Sequence, residues 1–309
     1  MSNVQHDAEQ DCLVSEGCGA LEMVLHTKDK DLGGFTVRRC LPSGARQSVG
    51  PWIFFDHLGP AEFPPGQGVS VRPHPHIGLA TVTYLFEGEI LHRDSLGNEQ
   101  VVRPGDINLM VAGRGITHSE REDPALRATV HRVHALQLWL ALPEEDAEMA
   151  PEFHHYPSDS IPALDVDGVH TRVIMGAAYG AVSPVKTFAE TLYVEMHMQK
   201  GQTVTLPQAP ERAVYVASGA LIAKDTAIPA HSMGVFAPEE GVVVQATEET
   251  RLAIIGGQSV GRRRIDWNFV SASSERIKAA VEDWKAGRFP KVPGDSEEFI
   301  PYPDRSKKV

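Results

Sequence analysis

Two pairs of polar residues in the first half of the chain have the side-chain chemistry of metal ligands. His74 and His76 are separated by one residue, and His118 and Glu120 repeat that spacing. In an extended strand, residues two apart project from the same face, so each pair can reach one ion. Three imidazole nitrogens and one carboxylate suit a first-row divalent metal such as iron, nickel, copper, manganese or zinc. The sequence therefore predicts one metal site with these four ligands.

The alternative is coincidence, because an isolated His-x-His spacing is often an ordinary surface or core feature. Glycine-marked turns beside both pairs favour the metal site. Gly68 precedes His74 by six positions, and a Gly-Arg-Gly sequence at 113–115 ends shortly before His118. Both pairs are therefore expected next to hairpins, where neighbouring strands can bring them together.

The elements that position these pairs are expected to be β-strands. In Thr81–Phe86, alternation puts Val82, Tyr84 and Phe86 on one face. Turn residues at Gly88, 95–98 and 104–106 divide the following segment into short runs, as in consecutive hairpins. Helix-length amphipathic periodicity is nearly absent before the last fifth of the chain.

The second half of the chain repeats the first. The sequence YVASGAL at Tyr215–Leu221 echoes YLFEGEIL at Tyr84–Leu91, 131 residues earlier, which indicates a diverged duplication. After alternation in 131–142, an irregular stretch rich in Pro, His and Asp runs to about Gly168 and marks the domain junction. The expected domains are an N-terminal segment at 1–35, a first barrel at 36–160, a second barrel at 161–260, and a helix and tail at 261–309.

The last fifth contains one predicted helix. Ser274 offers an N-cap and Gly287 a stop. The apolar residues at helical spacing between them are Ile277, Ala280, Val281 and Trp284. The proline-rich segment at 289–303 cannot pair as an inner strand and is expected to dock along a surface.

Charge and hydropathy limit the classes of partner. The chain of 309 residues has a net charge of −12, which argues against direct binding to nucleic acid or anionic membranes. The run of arginines at 262–264 is more simply a solvated loop or an ion-pairing patch. No apolar run has the length of a membrane span and the first residues lack a signal-peptide pattern, so a cytoplasmic protein is expected.

The three cysteines, Cys12, Cys18 and Cys40, are an odd number near the chain start, which suits a reducing compartment and argues against a disulfide framework. Cys12 and Cys18 could form a redox pair or a metal clip, but unreactive thiols are the simpler interpretation. We assign them no role.

The segments around both ligand pairs resemble a known family. Gly68-x5-His74-x-His76 with the later Gly88 resembles the first cupin motif, and RPHPHIGLATVTYLFEGEILHRDSLG with PGDINLMVAGRGITHSE is similar to pirins in particular. Similarity continues through PWIFFDHLGP and the tail, and so covers most of the chain. The resemblance implies an all-β bicupin, with two tandem cupin (double-stranded β-helix, jelly-roll) barrels, one C-terminal amphipathic helix and a docked tail.

The chain departs from the general cupin pattern in two ways. No carboxylate follows His76 closely, and four residues separate Gly113 from His118. The second departure, with Glu120 following His118, is similar to the pirin arrangement, in which the carboxylate ligand comes from the second motif. Alignment of the duplication puts Thr205 and Pro207 at the positions of His74 and His76, so the second barrel is expected to be metal-free.

The pirin resemblance implies a dioxygenase similar to quercetin 2,3-dioxygenase, with a small phenolic substrate, O2 and one divalent ion, Fe(II) before Ni, Cu, Mn or Zn. Four protein ligands leave two positions of an octahedral ion for substrate and dioxygen. Glu120 would be both ligand and catalytic base. The alternatives are a redox-responsive regulator that acts through a protein partner without turnover, and a closed structural zinc site. A monomer is favoured, because two barrels can cover each other's edges.

Other residues near the predicted site each have two interpretations. Arg114 could orient a phenolate or lie in an exposed loop. Apolar candidates for the pocket, each also a plausible core residue, are Phe54, Phe55, Met110 and Trp139. The further histidines that we interpret as structural are His92, His131, His134, His154 and His155.

Overall fold

The protein is almost entirely β-structure. The computed structural model describes residues 14–16, 20–32 and 34–304, with 52% strand and 7% helix. Cys12 and Cys18 lie outside the described residues. The strands are β1 (Val14–Glu16), β2 (Leu21–His26), β3 (Lys28–Asp31), β4 (Thr36–Leu41), β5 (Trp52–Phe63), β6 (Ser70–His76), β7 (Leu79–Glu87), β8 (Ile90–Asp94), β9 (Glu99–Val102), β10 (Ile107–Val111), β11 (Ile116–Arg121), β12 (His131–Ala141), β13 (Glu152–Tyr156), β14 (Ala163–Val166), β15 (Val169–Met175), β16 (Ala177–Ala178), β17 (Ala181–Val182), β18 (Thr191–Met198), β19 (Thr203–Thr205), β20 (Glu211–Ser218), β21 (Ala220–Ala223), β22 (Thr226–Pro229), β23 (Ser232–Phe236), β24 (Val243–Ala246), β25 (Thr250–Gly257), β26 (Arg264–Asp266) and β27 (Phe269–Ser271). The helices are α1 (Pro124–Arg127) and α2 (Ser274–Lys285), with a 3-10 turn at Ser158–Ser160.

The first barrel consists of two facing antiparallel sheets. The larger sheet has the strand order β13-β10-β7-β12-β5-β4-β3, and the smaller has the order β6-β11-β8-β9. Alternation along β7 directs Val82 and Tyr84 out of the barrel, into a core shared with the second barrel. Thr81 and Thr83 alternate with them and therefore face the barrel interior.

The second barrel repeats this plan. Its larger sheet has the order β1-β2-β23-β20-β25-β18-β15-β14, and its smaller sheet has the order β19-β24-β21-β22. Its interior is apolar, with Val194, Val214 and Ile254 in one buried cluster. The all-β fold with two cupin barrels that the sequence predicts is therefore confirmed.

The first described strands are shared between the barrels. Strand β2 pairs with β23 of the second barrel, where Leu25 lies opposite Met233, whereas β3 pairs with β4 of the first barrel. The predicted segment 1–35 thus contributes strands to both large sheets. The domain boundaries themselves stay a prediction.

The two large sheets pack face to face around a common hydrophobic core. Trp52 of the first barrel meets Tyr193 of the second edge to face, with ring centroids 5.9 Å apart. The Trp52 indole N–H donates to the carbonyl oxygens of Leu192 and Gly256, each at 3.1 Å. Because this contact buries large side chains from both barrels, the barrels form one packed body.

The C-terminal helix is confirmed, with a small change at its start. Ser273, rather than Ser274, is the N-cap, and its Oγ accepts a hydrogen bond from the Arg276 N–H at 3.2 Å. The buried face of α2 packs on Trp267 and Phe269. None of the described helices is long and apolar enough to span a membrane.

The proline-rich tail docks behind the strand that carries the first histidine pair. The Trp284 indole N–H donates to the Ile300 carbonyl at 3.0 Å, and the Ile300 N–H donates to the Pro73 carbonyl at 2.8 Å. Arg121 of β11 forms two hydrogen bonds with Asp295, at 2.6 and 2.9 Å. These contacts confirm a docked tail and attach it to both strands of the predicted metal site.

Candidate metal centre

Strands β6 and β11 are neighbours and bring three predicted ligands together. His118 lies opposite His74 in the antiparallel register, and Ile116 lies opposite His76. One ring nitrogen from each of the three histidines lies within 4.8 Å of the other two. Nitrogens bound to one ion at about 2.1 Å can be at most about 4.2 Å apart, so a small movement of the rings suffices to share an ion.

Hydrogen bonds to the backbone orient two of these rings. His74 Nδ1 lies 2.9 Å from the Arg72 carbonyl oxygen, and His76 Nδ1 lies 3.1 Å from that of Asn268. A carbonyl can only accept, so each Nδ1 carries the proton and each Nε2 presents a lone pair. Both Nε2 atoms and both ring nitrogens of His118 are buried without a hydrogen-bond partner among the described residues. Unpaired buried nitrogens of this kind fit a metal ion.

Burial also keeps the three rings neutral. Burial lowers the pKa of His74 to about 3, and it lowers the pKa of His76 and His118 well below 6.5, assisted by the neighbouring imidazoles. At neutral pH each ring therefore offers a lone pair without first losing a proton.

Glu120 lies on the same strand but is not within the group of three. Its side chain is 2% exposed, and it lies opposite His92 of β8 and Val71 of β6. The register shift between His118 and Glu120 places an extra residue on β6, between His74 and Val71, whereas β11 pairs with β8 without a shift. Among the described residues, the ligand atoms that lie within 4.8 Å of one another belong to the three histidines. The role of Glu120 as fourth ligand stays a prediction.

An aromatic wall stands beside the histidines. Phe54 stacks on Trp139 with centroids 3.9 Å apart, and the Trp139 ring meets His76 edge to face at 4.9 Å. Met110 belongs to the same buried cluster. Phe55, the other proposed pocket residue, instead faces the core between the barrels, where it contacts Tyr215 at 4.5 Å. Alternation along β5 explains the difference, because adjacent residues point to opposite faces.

The structure adds one residue that the sequence did not indicate. Asn268, in the turn between β26 and β27, supplies the carbonyl that holds His76, although 192 residues separate the two. No spacing pattern marks such a contact. Arg114, considered for substrate binding, is exposed, and its carbonyl accepts a hydrogen bond from Arg276.

The other predicted structural histidines have polar partners. His92 Nε2 lies 3.0 Å from Asp94, and its ring stacks on Phe153 at 4.4 Å. The remaining pairs are His131 with Glu122, His134 with His57, His154 with Glu152, and His155 with Asn108. These contacts support the structural interpretation of these residues.

Comparison with family models covers both barrels. The model described as Pirin matches residues 34–140, and that of the Pirin C-terminal cupin domain matches residues 193–290. The chain belongs to the pirin family. A pirin-like protein of Caulobacter vibrioides is 46% identical over 288 residues, covering 92% of this chain and 100% of the relative. Human pirin is 31% identical over 275 residues, covering 85% of this chain and 90% of the relative.

A solved crystal structure matches nearly the whole chain. The crystal structure of quercetin 2,3-dioxygenase from Acinetobacter baumannii superimposes with a TM-score of 0.85 and 32% identity, covering 93% of this chain and 96% of that one. The likeness therefore includes both barrels. The chain is a pirin similar to quercetin 2,3-dioxygenase and contains a buried three-histidine group.

Proposed function

We propose that this pirin is a metal-dependent dioxygenase that cleaves flavonol-like phenolic substrates with O2 at His74, His76, His118 and Glu120. The observation that carries the proposal is the group of three buried, neutral imidazoles whose unpaired nitrogens meet beside an aromatic wall. The likeness to a quercetin 2,3-dioxygenase supports the substrate class.

The ion and the residues around it have separate roles in the proposed reaction. A bound divalent ion, for which we propose Fe(II), supplies Lewis acidity and open coordination positions. Glu120, buried beside the histidines, accepts the proton of the substrate hydroxyl. Trp139 and Phe54 hold the flat ring system of the substrate and exclude water. Both atoms of O2 enter the organic products, so the reaction needs no external reductant.

The test combines metal analysis with oxygen consumption. Protein purified without chelators is compared with His76→Ala and with a control, His197→Ala, which removes a partly exposed histidine of the second barrel that pairs with Glu249. We expect about one equivalent of metal and oxygen uptake on adding quercetin, both lost only in His76→Ala. Absence of metal from the wild-type protein would contradict the site.

A second candidate function is a regulator without turnover, in which metal state alters a surface. One contact favours it: Pro73, next to His74, accepts a hydrogen bond from Ile300 of the tail, and the nearby Phe299 is 55% exposed. This function predicts bound metal without oxygen uptake, together with a change in proteolysis of the tail when the metal is removed. A closed structural zinc site would instead give metal-dependent folding.

A further inference from the structure

A row of polar residues crosses the inner face of the large sheet in the first barrel. The strand register aligns Asn108 with Thr83, Thr83 with Gln137, and Gln137 with Asp56. Arg39 ends the row and binds Asp56 through two hydrogen bonds of 2.8 Å. All five side chains are buried, none being more than 7% exposed. A polar row in a barrel interior is costly unless its groups find partners.

Two carboxamides in this row have satisfied acceptors and unsatisfied donors. Gln137 Oε1 accepts from the Thr83 hydroxyl at 2.9 Å, and Asn108 Oδ1 lies 2.7 Å from His155 Nδ1. Gln137 Nε2 and Asn108 Nδ2 are buried and make no hydrogen bond with a described residue. The indole Nε1 of Trp139 is unpaired in the same way. Three N–H donors are thus held in fixed positions without acceptors.

These donors lie on the inner face of the large sheet, on the side of the barrel that faces the histidines. Trp139 is the next inward residue after Gln137 on β12, and its ring lies 4.9 Å from that of His76. Two residues of a strand span about 6.8 Å, so the Cα of Gln137 lies about 6.8 Å from that of Trp139, whose ring stands beside the histidines. Met110, the inward neighbour of Asn108 on β10, packs in one cluster with Ile116 of β11. The row therefore faces the metal-site strands across the barrel.

We infer that Gln137, Asn108 and Trp139 bind a second oxygenated edge of the substrate. The ligand class is then a planar aromatic molecule with acceptor oxygens on two edges, one for the metal and one for the three N–H donors. The inference rests on the proposed function for the metal-bound edge. A ligand without the second set of oxygens leaves buried donors unpaired and is bound less well.

The test measures anaerobic binding, so that turnover plays no part. Metal-loaded wild type, Gln137→Met and a control, Gln245→Met in the second barrel, are titrated with quercetin and with 3-hydroxyflavone, which has the same skeleton without the other hydroxyls. We expect Gln137→Met to weaken quercetin binding about tenfold, as for loss of one buried donor, and to leave 3-hydroxyflavone binding unchanged. Asn108→Leu should act in the same direction. Metal content and melting temperature identify a variant that fails to fold.

Two results would overturn the inference: an equal effect of Gln137→Met on both ligands, or no binding of quercetin by the wild type. Quercetin binding at wild-type strength by Gln137→Met would also refute the donor role. Oxygen uptake is measured separately. Selective binding without uptake would refute the dioxygenase and leave the recognition of two oxygenated edges standing.

Discussion

His134→Gln is expected to destabilise the protein at pH 7.5 and to stabilise it at pH 5. His134 Nε2 lies 2.7 Å from His57 Nε2, and His57 Nδ1 lies 2.9 Å from the Tyr215 hydroxyl of the second barrel. Burial, followed by the charges of Arg251 and Arg38, lowers the pKa of His134 from 6.5 to about 4. The native state therefore resists protonation of this ring.

The sign and size of the effect follow from proton linkage. Because the folded pKa is the lower one, the unfolded chain takes up its proton first as the pH falls, so stability decreases between pH 6.5 and about 4. At about 1.36 kcal/mol per pH unit, His134 removes about 2 kcal/mol of stability between pH 7.5 and 5. Replacement by Gln removes the imidazole ring that packs on Phe86 at 4.6 Å, which costs about 1 kcal/mol, but it also abolishes the loss of stability in acid because Gln does not titrate. Plotted against pH, the free energies of unfolding of the wild type and of His134→Gln should therefore cross near pH 6.

Urea unfolding at fixed metal content, from pH 7.5 to 5, measures both curves. His134→Phe provides a second variant that cannot titrate and should show the same change in slope, although its stability at pH 7.5 will differ. A difference between wild type and His134→Gln that stays constant over this range would refute the reasoning.

Three further predictions concern the site and the interface. Glu120→Gln should retain metal on the three histidines and lower oxygen uptake with quercetin at least about 100-fold, as for loss of a general base; full-rate turnover would exclude that role. Gly78→Ala should lower the melting temperature much more than the control Gly97→Ala. Both glycines have positive φ, so both variants strain the backbone. A Cβ at Gly78 would in addition lie 2.0 Å from the Val270 carbonyl oxygen, whereas a Cβ at Gly97 would meet open space. Trp52→Phe should lower the free energy of unfolding in urea by about 2 kcal/mol, because it removes a buried hydrogen-bond donor and side-chain volume between the barrels. An unchanged urea midpoint would contradict this role of Trp52.

The sequence predicted the parts of the molecule that depend on local pattern. Alternation of residue types identified β7 as a strand and showed which of its residues share a face. The two-residue spacing of His74 and His76 placed their rings on one side of β6. Turn residues marked the hairpins. These features were accessible because the period of two in a strand is visible within a few residues.

Features that depend on register over long distances were not predictable. Asn108 and Gln137 become neighbours of Thr83 only through the pairing of three strands. The contact between His134 and His57 likewise depends on the pairing of β12 with β5, which are far apart in the chain: His57 lies opposite Leu136, on the face of β12 that also carries His134. No pattern within a few residues marks such a pair.

The pairing of β2 with β23 has a consequence for biosynthesis. Leu25 leaves the ribosome long before Met233, its partner in the sheet, and the large sheet of the second barrel cannot be completed until β25, which ends at Gly257, has been made. The edge of β2 stays unpaired meanwhile and can join other chains. Refolding should therefore be slow for the size of the protein, and expression of the second barrel alone, without 20–32, should yield aggregates.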